Sequence, residues 1–361
     1  MLRCYTWPVT DLPQRTDSDG LGARNGRPVL PLRERDSLAA TVRYERSGVS
    51  VVSNQQEDTK IEFGLSMRRA DRVAEQAQAI ERLGYDYATT GEHVFFHVPC
   101  SNAFISLAVA AGATTDLKLM STITLLPLYP AVLAAKQAAA LDVASGGRFH
   151  LGIGVGGELP REFEAAGVPV SERGARTNEA LEIMELLFTE DDVHFEGNFN
   201  KLSGVTLEPK PLQRPSPPVW ISGRKDAAWR RAARYGTGWL PYMYTPEMLV
   251  ESNQEIAKYR ADEGNESPVD PGLFIFFCCH EDNATAVEYA NERLSKQYNQ
   301  DFSQMIDKYA IAGDPERCSQ RLAEYIDAGA RTIILSAASP MHYVEEAESF
   351  MAQEVLPRFR T

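Results

Sequence analysis

From residue 61 onward, apolar positions follow two alternating periods. Short runs of strand character stand at 61–65, 87–90, 117–125, 149–155, 219–222, 238–241, 273–277 and 331–335, bounded by glycine, proline or polar turns. Helical spacing fills the intervals, at 70–83, 103–112, 131–144, 174–188, 226–235, 246–263, 283–299, 315–328 and 342–353. A hairpin is predicted around 194–207, ahead of a proline-rich link at Pro209, Pro211, Pro215, Pro217 and Pro218. Eight strands interleaved with helices predict an α/β fold of the (β/α)8 TIM barrel type. An open, doubly wound sheet is the structural alternative, but it leaves the late strands needing a second layer.

Residues 1–59 show no sustained period and are rich in Arg, Pro, Gly, Asp and Ser. This predicts a flexible or irregular extension ahead of a barrel domain at 60–361. An over-long translation start would leave the same pattern.

Composition narrows the chemistry. The chain has 361 residues, with 37 Lys and Arg against 50 Asp and Glu and a formal net charge of -13. That balance argues against a nucleic-acid partner, because phosphate neutralisation needs clustered cations. Small anions bound by local arginines stay open. The nearly uncharged stretches 103–113 and 120–135 fall short of the roughly 20 apolar residues a membrane helix needs, so no membrane association is expected. Five cysteines without CxxC spacing fit neither a disulfide framework nor a zinc ribbon and are expected to be reduced thiols in a cytoplasmic protein.

In a barrel of this kind, functional groups come from the C-terminal ends of the strands. There the second strand runs into Gly91-Glu92-His93, with His97 and Cys100 close behind. His93 is the acid/base candidate, since imidazole titrates near neutrality. Glu92 need not face the same way, because neighbours on an extended segment point to opposite sides. A histidine satisfied by a backbone carbonyl is the plainer alternative. His93, His97 and Cys100 lie on a loop interrupted by Pro99, which suits a metal site poorly, and no metal is expected.

The third strand carries Ser121, Thr122 and Thr124, and the fourth ends in a glycine run that includes Gly154, Gly156 and Gly157. Those glycines would let a flat ring or a neighbouring backbone approach closely; tight packing at the rim accounts for them equally well. After the fifth strand, Ser222-Gly223-Arg224-Lys225 precedes a helix and is expected to form an anion seat, which Arg148, Arg173 and Arg176 could extend, surface ion pairs being the alternative for each of the three. Phe95, Phe96, Tyr129, Tyr242 and Tyr244 suit an apolar pocket or the core.

The chain resembles the luciferase-like monooxygenase superfamily, including members that use the deazaflavin F420. The resemblance is carried by Ala79-Ile80-Glu81-Arg82-Leu83-Gly84-Tyr85-Asp86, Gly91-Glu92-His93, AAALDVASGGRF at 138–149, the glycine run at 151–157, Glu172-Arg173-Gly174, Glu179-Ala180-Leu181, Pro209-Lys210-Pro211 and Pro218-Val219-Trp220-Ile221-Ser222-Gly223. It implies a flavin-type cofactor over the C-terminal mouth of the barrel, its phosphate near the fifth-strand turn and its ring against 121–124, where the family often has a non-proline cis peptide. It implies His93 as acid/base, with Glu92 supporting it. F420 is the expected cofactor and FMN the alternative, the first giving hydride transfer and the second oxygen-dependent monooxygenation. A small, predominantly apolar organic substrate and a homodimer are also implied. A metal-dependent hydrolase and a non-catalytic flavin-binding protein are the rivals from other classes. The sequence departs from the family where the first strand runs into Ser66-Met67-Arg68-Arg69 instead of a longer substrate loop.

Overall fold

The computed structural model describes residues 60–265 and 267–360. The extension predicted for 1–59 lies outside the described residues. The strands are β1 (Glu62–Ser66), β2 (Tyr87–Thr90), β3 (Lys118–Ser121), β4 (Thr124–Leu125), β5 (Phe149–Gly154), β6 (Val193–Glu196), β7 (Lys201–Val205), β8 (Val219–Ile221), β9 (Gly238–Trp239), β10 (Asp270–Cys279), β11 (Ala310–Gly313) and β12 (Thr332–Ala337). Parallel pairing runs β1-β2-β3-β5-β8-β9-β10-β12 and returns from β12 to β1, which closes an eight-strand barrel. β4 continues β3 past a cis peptide between Thr122 and Ile123 and also pairs with β5.

All eight predicted barrel strands are present, and β6 and β7 form the predicted hairpin as an antiparallel pair outside the ring. β11 was not foreseen. Its Ala-Ile-Ala-Gly sequence is short and carries little strand character, and it forms by adding to the end of the long β10. The short helices Pro160–Ala165 and Ile306–Tyr309 were also missed, since four to six residues leave no period to read. The last predicted helix is Val344–Phe350, followed by a π turn at Met351–Val355.

Local chemistry sets the helix starts. Thr245 and Asp314 each accept a hydrogen bond from an amide three residues on, with proline in the following first turn. Inside the barrel, Tyr87, Met120, Trp220, Leu240 and Ile334 form a plug. Trp220 needs Gly238 beside it, because a Cβ there would lie 2.3 Å from the indole. Among the described residues, no helix is long and apolar enough to cross a membrane.

Candidate active site

Above the plug, the C-terminal ends of the barrel strands enclose a cavity of about 780 Å³. It is lined by His93 after β2, Thr122 and Ile123 between β3 and β4, the 154–158 loop after β5, Ser222 to Lys225 after β8, Tyr242 after β9, and Ser66 and Ser336 at the ends of β1 and β12. His93 and the Ser222-Gly223 turn therefore share one rim. Arg68, Arg69, Arg173, Arg224, Lys225, Arg231 and Arg293 line it against only two carboxylates, Glu92 and Glu158. This concentration of positive charge sits in a chain whose net charge is -13.

The carboxylate that meets His93 is Glu162, on a helix the sequence pattern did not disclose. His93 Nδ1 lies 3.1 Å from both Glu162 carboxylate oxygens. Glu162 is only 1% exposed and also accepts from the amides of Val94 (2.6 Å) and Phe95 (3.0 Å). A carboxylate so placed keeps the hydrogen on Nδ1 and leaves Nε2 for proton exchange. The imidazole stacks on Phe96 with centroids 4.3 Å apart. The sequence signal for Glu162 was Pro160, a helix-opening residue two positions before it.

Glu92 has another task. It is buried and accepts from the amides of Ala103 (3.0 Å) and Leu125 (2.9 Å), from Asn102 Nδ2 (3.1 Å) and from the Tyr129 hydroxyl (2.9 Å). Burial pushes its carboxyl above the ordinary range against the pull of those donors. Glu92 thus ties the loop after β2 to β4 and to the helix starting at Ala103, while Glu162 supports the imidazole.

Of the third-strand residues, Thr122 lines the cavity and bonds Thr89 Oγ1 at 3.1 Å. Ser121 and Thr124 do not line it. Ser121 Oγ joins the amide and carbonyl of Gly152 at 2.9 and 2.8 Å, stitching β3 to β5, and Thr124 is fully buried. Gly154, Gly156 and Gly157 do line the cavity, yet the chain itself requires them small. At Gly154 a Cβ would fall 1.9 Å from Ile123 Cδ1, and at Gly157 (φ +102°) it would fall 2.9 Å from Arg173 Nε.

The group of cations beside the turn after β8 differs in its members from the sequence expectation. Ser222, Gly223, Arg224 and Lys225 line the cavity ahead of the helix Asp226–Tyr235, whose first turn has no side-chain cap. Arg173 joins them, and so does Arg231, which the sequence did not single out; Arg231 Nε bonds Asn178 Oδ1 at 2.7 Å. Arg148 is instead at the start of β5, bonding carbonyls of Ala111, Thr114, Leu117 and Ser145. Arg176 pairs with Glu172 at 2.8 Å and packs over Phe199.

Among the aromatics, Phe96 and Tyr242 line the cavity, and Tyr242 bonds Glu158 while Arg224 lies 5.2 Å over its ring. Tyr244 belongs to the core, Phe95 is exposed, and Tyr129 is held by Glu92. His97 is exposed and does not line the cavity. Among the described residues, no group of three or more His, Cys, Asp or Glu could hold a metal ion, and four cysteines are free.

A family model described as luciferase-like monooxygenase matches residues 46–332. An F420-dependent glucose-6-phosphate dehydrogenase from Microbacterium testaceum is 26% identical over 317 residues, covering 78% of this chain and 90% of its own. An FMNH(2)-dependent dimethylsulfone monooxygenase from Pseudomonas putida is 31% identical over 217 residues, covering 58% of this chain and 59% of its own. An uncharacterized protein from Mycobacterium tuberculosis is 33% identical over 187 residues, covering 52% of this chain and 64% of its own. The chain thus spans less than two thirds of the length of these last two relatives. A solved structure, an F420-dependent secondary alcohol dehydrogenase in complex with an F420-acetone adduct, shares the fold with a TM-score of 0.74 at 20% identity, over 84% of this chain and 100% of that one. The family match spans most of the barrel described above, and on that ground the chain belongs to the luciferase-like monooxygenase family of oxidoreductases and monooxygenases.

Proposed function

We propose that this chain is an oxidoreductase that moves a hydride between F420 and a small organic substrate, with His93 carrying the accompanying proton. The observation that carries this reading is the cluster of Arg173, Arg224, Lys225 and Arg231 around the turn after β8, on the same rim as the His93–Glu162 pair. A cofactor with a phosphodiester and further carboxylates suits such a rim better than one with a single phosphate. The similarity to the F420-dependent glucose-6-phosphate dehydrogenase, which extends over 78% of this chain, supports the same choice.

The residues fit the group. Arg173, Arg224, Lys225 and Arg231 would hold its anionic part, helped by the uncapped first turn of the helix Asp226–Tyr235. When bound, F420 supplies two-electron hydride chemistry. Glu162 holds the His93 ring through Nδ1, so that Nε2 takes a proton from, or returns it to, the substrate oxygen. Met67, Val73, Leu240, Phe274 and Phe276 supply apolar walls that exclude water around that exchange.

The second reading, FMN-dependent monooxygenation, is supported by the 31% identity to the dimethylsulfone monooxygenase. Fluorescence and absorbance titrations of the full chain with F420 and with FMN separate the two. F420 is expected to saturate at one equivalent per chain and to bind more tightly than FMN. Tight FMN binding with reductase-fed oxygen consumption would overturn the hydride reading.

We also propose a homodimer. The helices Ala103–Ala113 and Ala131–Ala144 pack side by side and leave Ile105 (67%), Val109 (45%) and Leu133 (55%) exposed. Sedimentation should give twice the chain mass, reduced to one chain by Ile105→Asp; a wild-type monomer would remove the proposal.

A further inference from the structure

The cofactor reading assigns the cations around β8 and leaves a second positive pair unused. In the ring order, β1 stands four strands from β8 in either direction, so the two face each other across the barrel. On the β1 side, Arg68 lines the cavity with its side chain only 11% exposed. Its Nη1 donates to the Ala337 carbonyl at 2.6 Å and its Nη2 to Glu348 Oε1 at 3.2 Å, which fixes the guanidinium plane. Arg293 reaches the same cavity from the helix Asn283–Tyr298, the helix that follows β10. Its Nε is buried without a hydrogen-bond partner, and it forms no ion pair among the described residues.

Both guanidiniums line the same cavity, and burial foremost, with the charge on Arg293 adding to it, lowers the pKa of Arg68. Like charges brought together in a desolvated wall raise the energy of the empty site. An anion in the cavity would relieve the repulsion and give the Arg293 guanidinium, which makes no hydrogen bond or ion pair among the described residues, a partner for its terminal nitrogens. Ser66 and Ser336, at the ends of the two adjacent strands β1 and β12, add hydroxyls to this wall, and Phe276 adds an apolar surface.

We infer that this wall seats an oxyanion of the substrate, and that the substrate is a small organic acid whose carboxylate lies between Arg68 and Arg293 while its apolar body extends toward His93. Burial pushes the Glu348 carboxyl up to about 7, so above that pH one carboxylate offsets one of the two guanidiniums. A single positive charge is left over, which matches a carboxylate better than a doubly charged phosphate monoester. The inference rests on the proposed function, in which the cofactor occupies the β8 side. It also revises the expected substrate, which keeps an apolar body but carries a charged end.

Calorimetric titration of benzoate, phenyl phosphate and uncharged benzyl alcohol at about pH 8.5, where Glu348 is ionised, tests it, with the full chain loaded with F420 and again without added cofactor. Benzoate is expected to bind saturably and more tightly than phenyl phosphate. Arg293→Gln should weaken benzoate about tenfold or more while leaving benzyl alcohol and F420 affinity nearly unchanged. Glu348→Gln, which releases a second positive charge, should tighten phenyl phosphate relative to benzoate. Equal benzoate affinity in wild type and Arg293→Gln overturns the inference, and so does a loss of F420 affinity in Arg293→Gln with benzoate unaffected, which would assign the pair to the cofactor's own carboxylates. An unchanged phosphate-to-carboxylate preference in Glu348→Gln removes the charge-matching argument. If wild type binds no F420, the proposed function fails, while the titrations without cofactor still decide the fate of the seat.

Discussion

The two ends of this barrel treat charge in opposite ways. At the N-terminal end, Lys118 Nζ meets both oxygens of Glu62 at 2.7 and 2.9 Å, and the Tyr87 hydroxyl donates to the same carboxylate at 2.9 Å. The Trp220 indole donates to His150 Nδ1 at 3.2 Å. These polar groups find their partners inside the chain. At the C-terminal rim the cations outnumber the carboxylates, Arg293 keeps an unpartnered Nε, and Arg224 lies 3.8 Å from Glu158. Desolvated charge without a partner is costly, and at this rim an anionic ligand would supply one. The contrast therefore divides the molecule into an end whose charges are paired within the chain and an end whose cations exceed its carboxylates, the end at which barrels of this type carry their functional groups.

Substitutions at the two ends should separate accordingly. The largest effect is expected at His93. His93→Ala should lower turnover by about 100- to 10,000-fold with cofactor affinity measured by fluorescence nearly unchanged, since only the proton carrier is lost. Full turnover in that variant would end the role of the rim histidine.

Next comes the plug. Trp220→Ala removes the largest side chain of the barrel interior and should cost about 3–5 kcal/mol in denaturant unfolding. Folded protein that remains should still bind cofactor. A stability loss below about 1 kcal/mol would mean that the plug does not hold the strands together.

Arg224→Gln tests the rim by charge alone, because this side chain is about half exposed. Cofactor affinity should fall by about 1–2 kcal/mol, and the deficit should shrink as salt is raised. Unfolding midpoints should match wild type.

The smallest effect concerns pH. Burial lowers the pKa of His150 from its ordinary 6.5 to about 3, so the folded chain holds it neutral while the unfolded chain protonates it. The stability tied to this group is complete above pH 6.5 and is lost as pH falls toward about 3. Over the first unit below 6.5 the loss is about 1 kcal/mol, and His150→Gln should flatten that part of the stability profile. Identical profiles would show that the base carries no such penalty.

Much of this organisation is legible along the chain, although unevenly. Barrel strands such as 149–154 read clearly because an apolar run of several residues ends in glycines, and His93 was found because it follows such a strand. Glu162 was hidden, since its helix has six residues and its partner is 69 positions away. The resemblance implies a ring against 121–124, but of Ser121, Thr122 and Thr124 only Thr122 lines the cavity. Pairing across β3 and β5 turned the Ser121 hydroxyl onto Gly152 instead.

By itself, the sequence determined the eight barrel strands and most of the helices between them, because periodicity and turn residues act locally, while the pairing of β12 with β1 decided for a closed ring over an open sheet. It also determined that a histidine and an amide-rich turn follow two of those strands. Only the tertiary structure decided which charges meet. Arg68 with Glu348, Arg68 and Arg293 on one cavity, and His93 with Glu162 come from distant parts of the chain. Electrostatic partnership depends on distance through space, and barrel closure sets those distances.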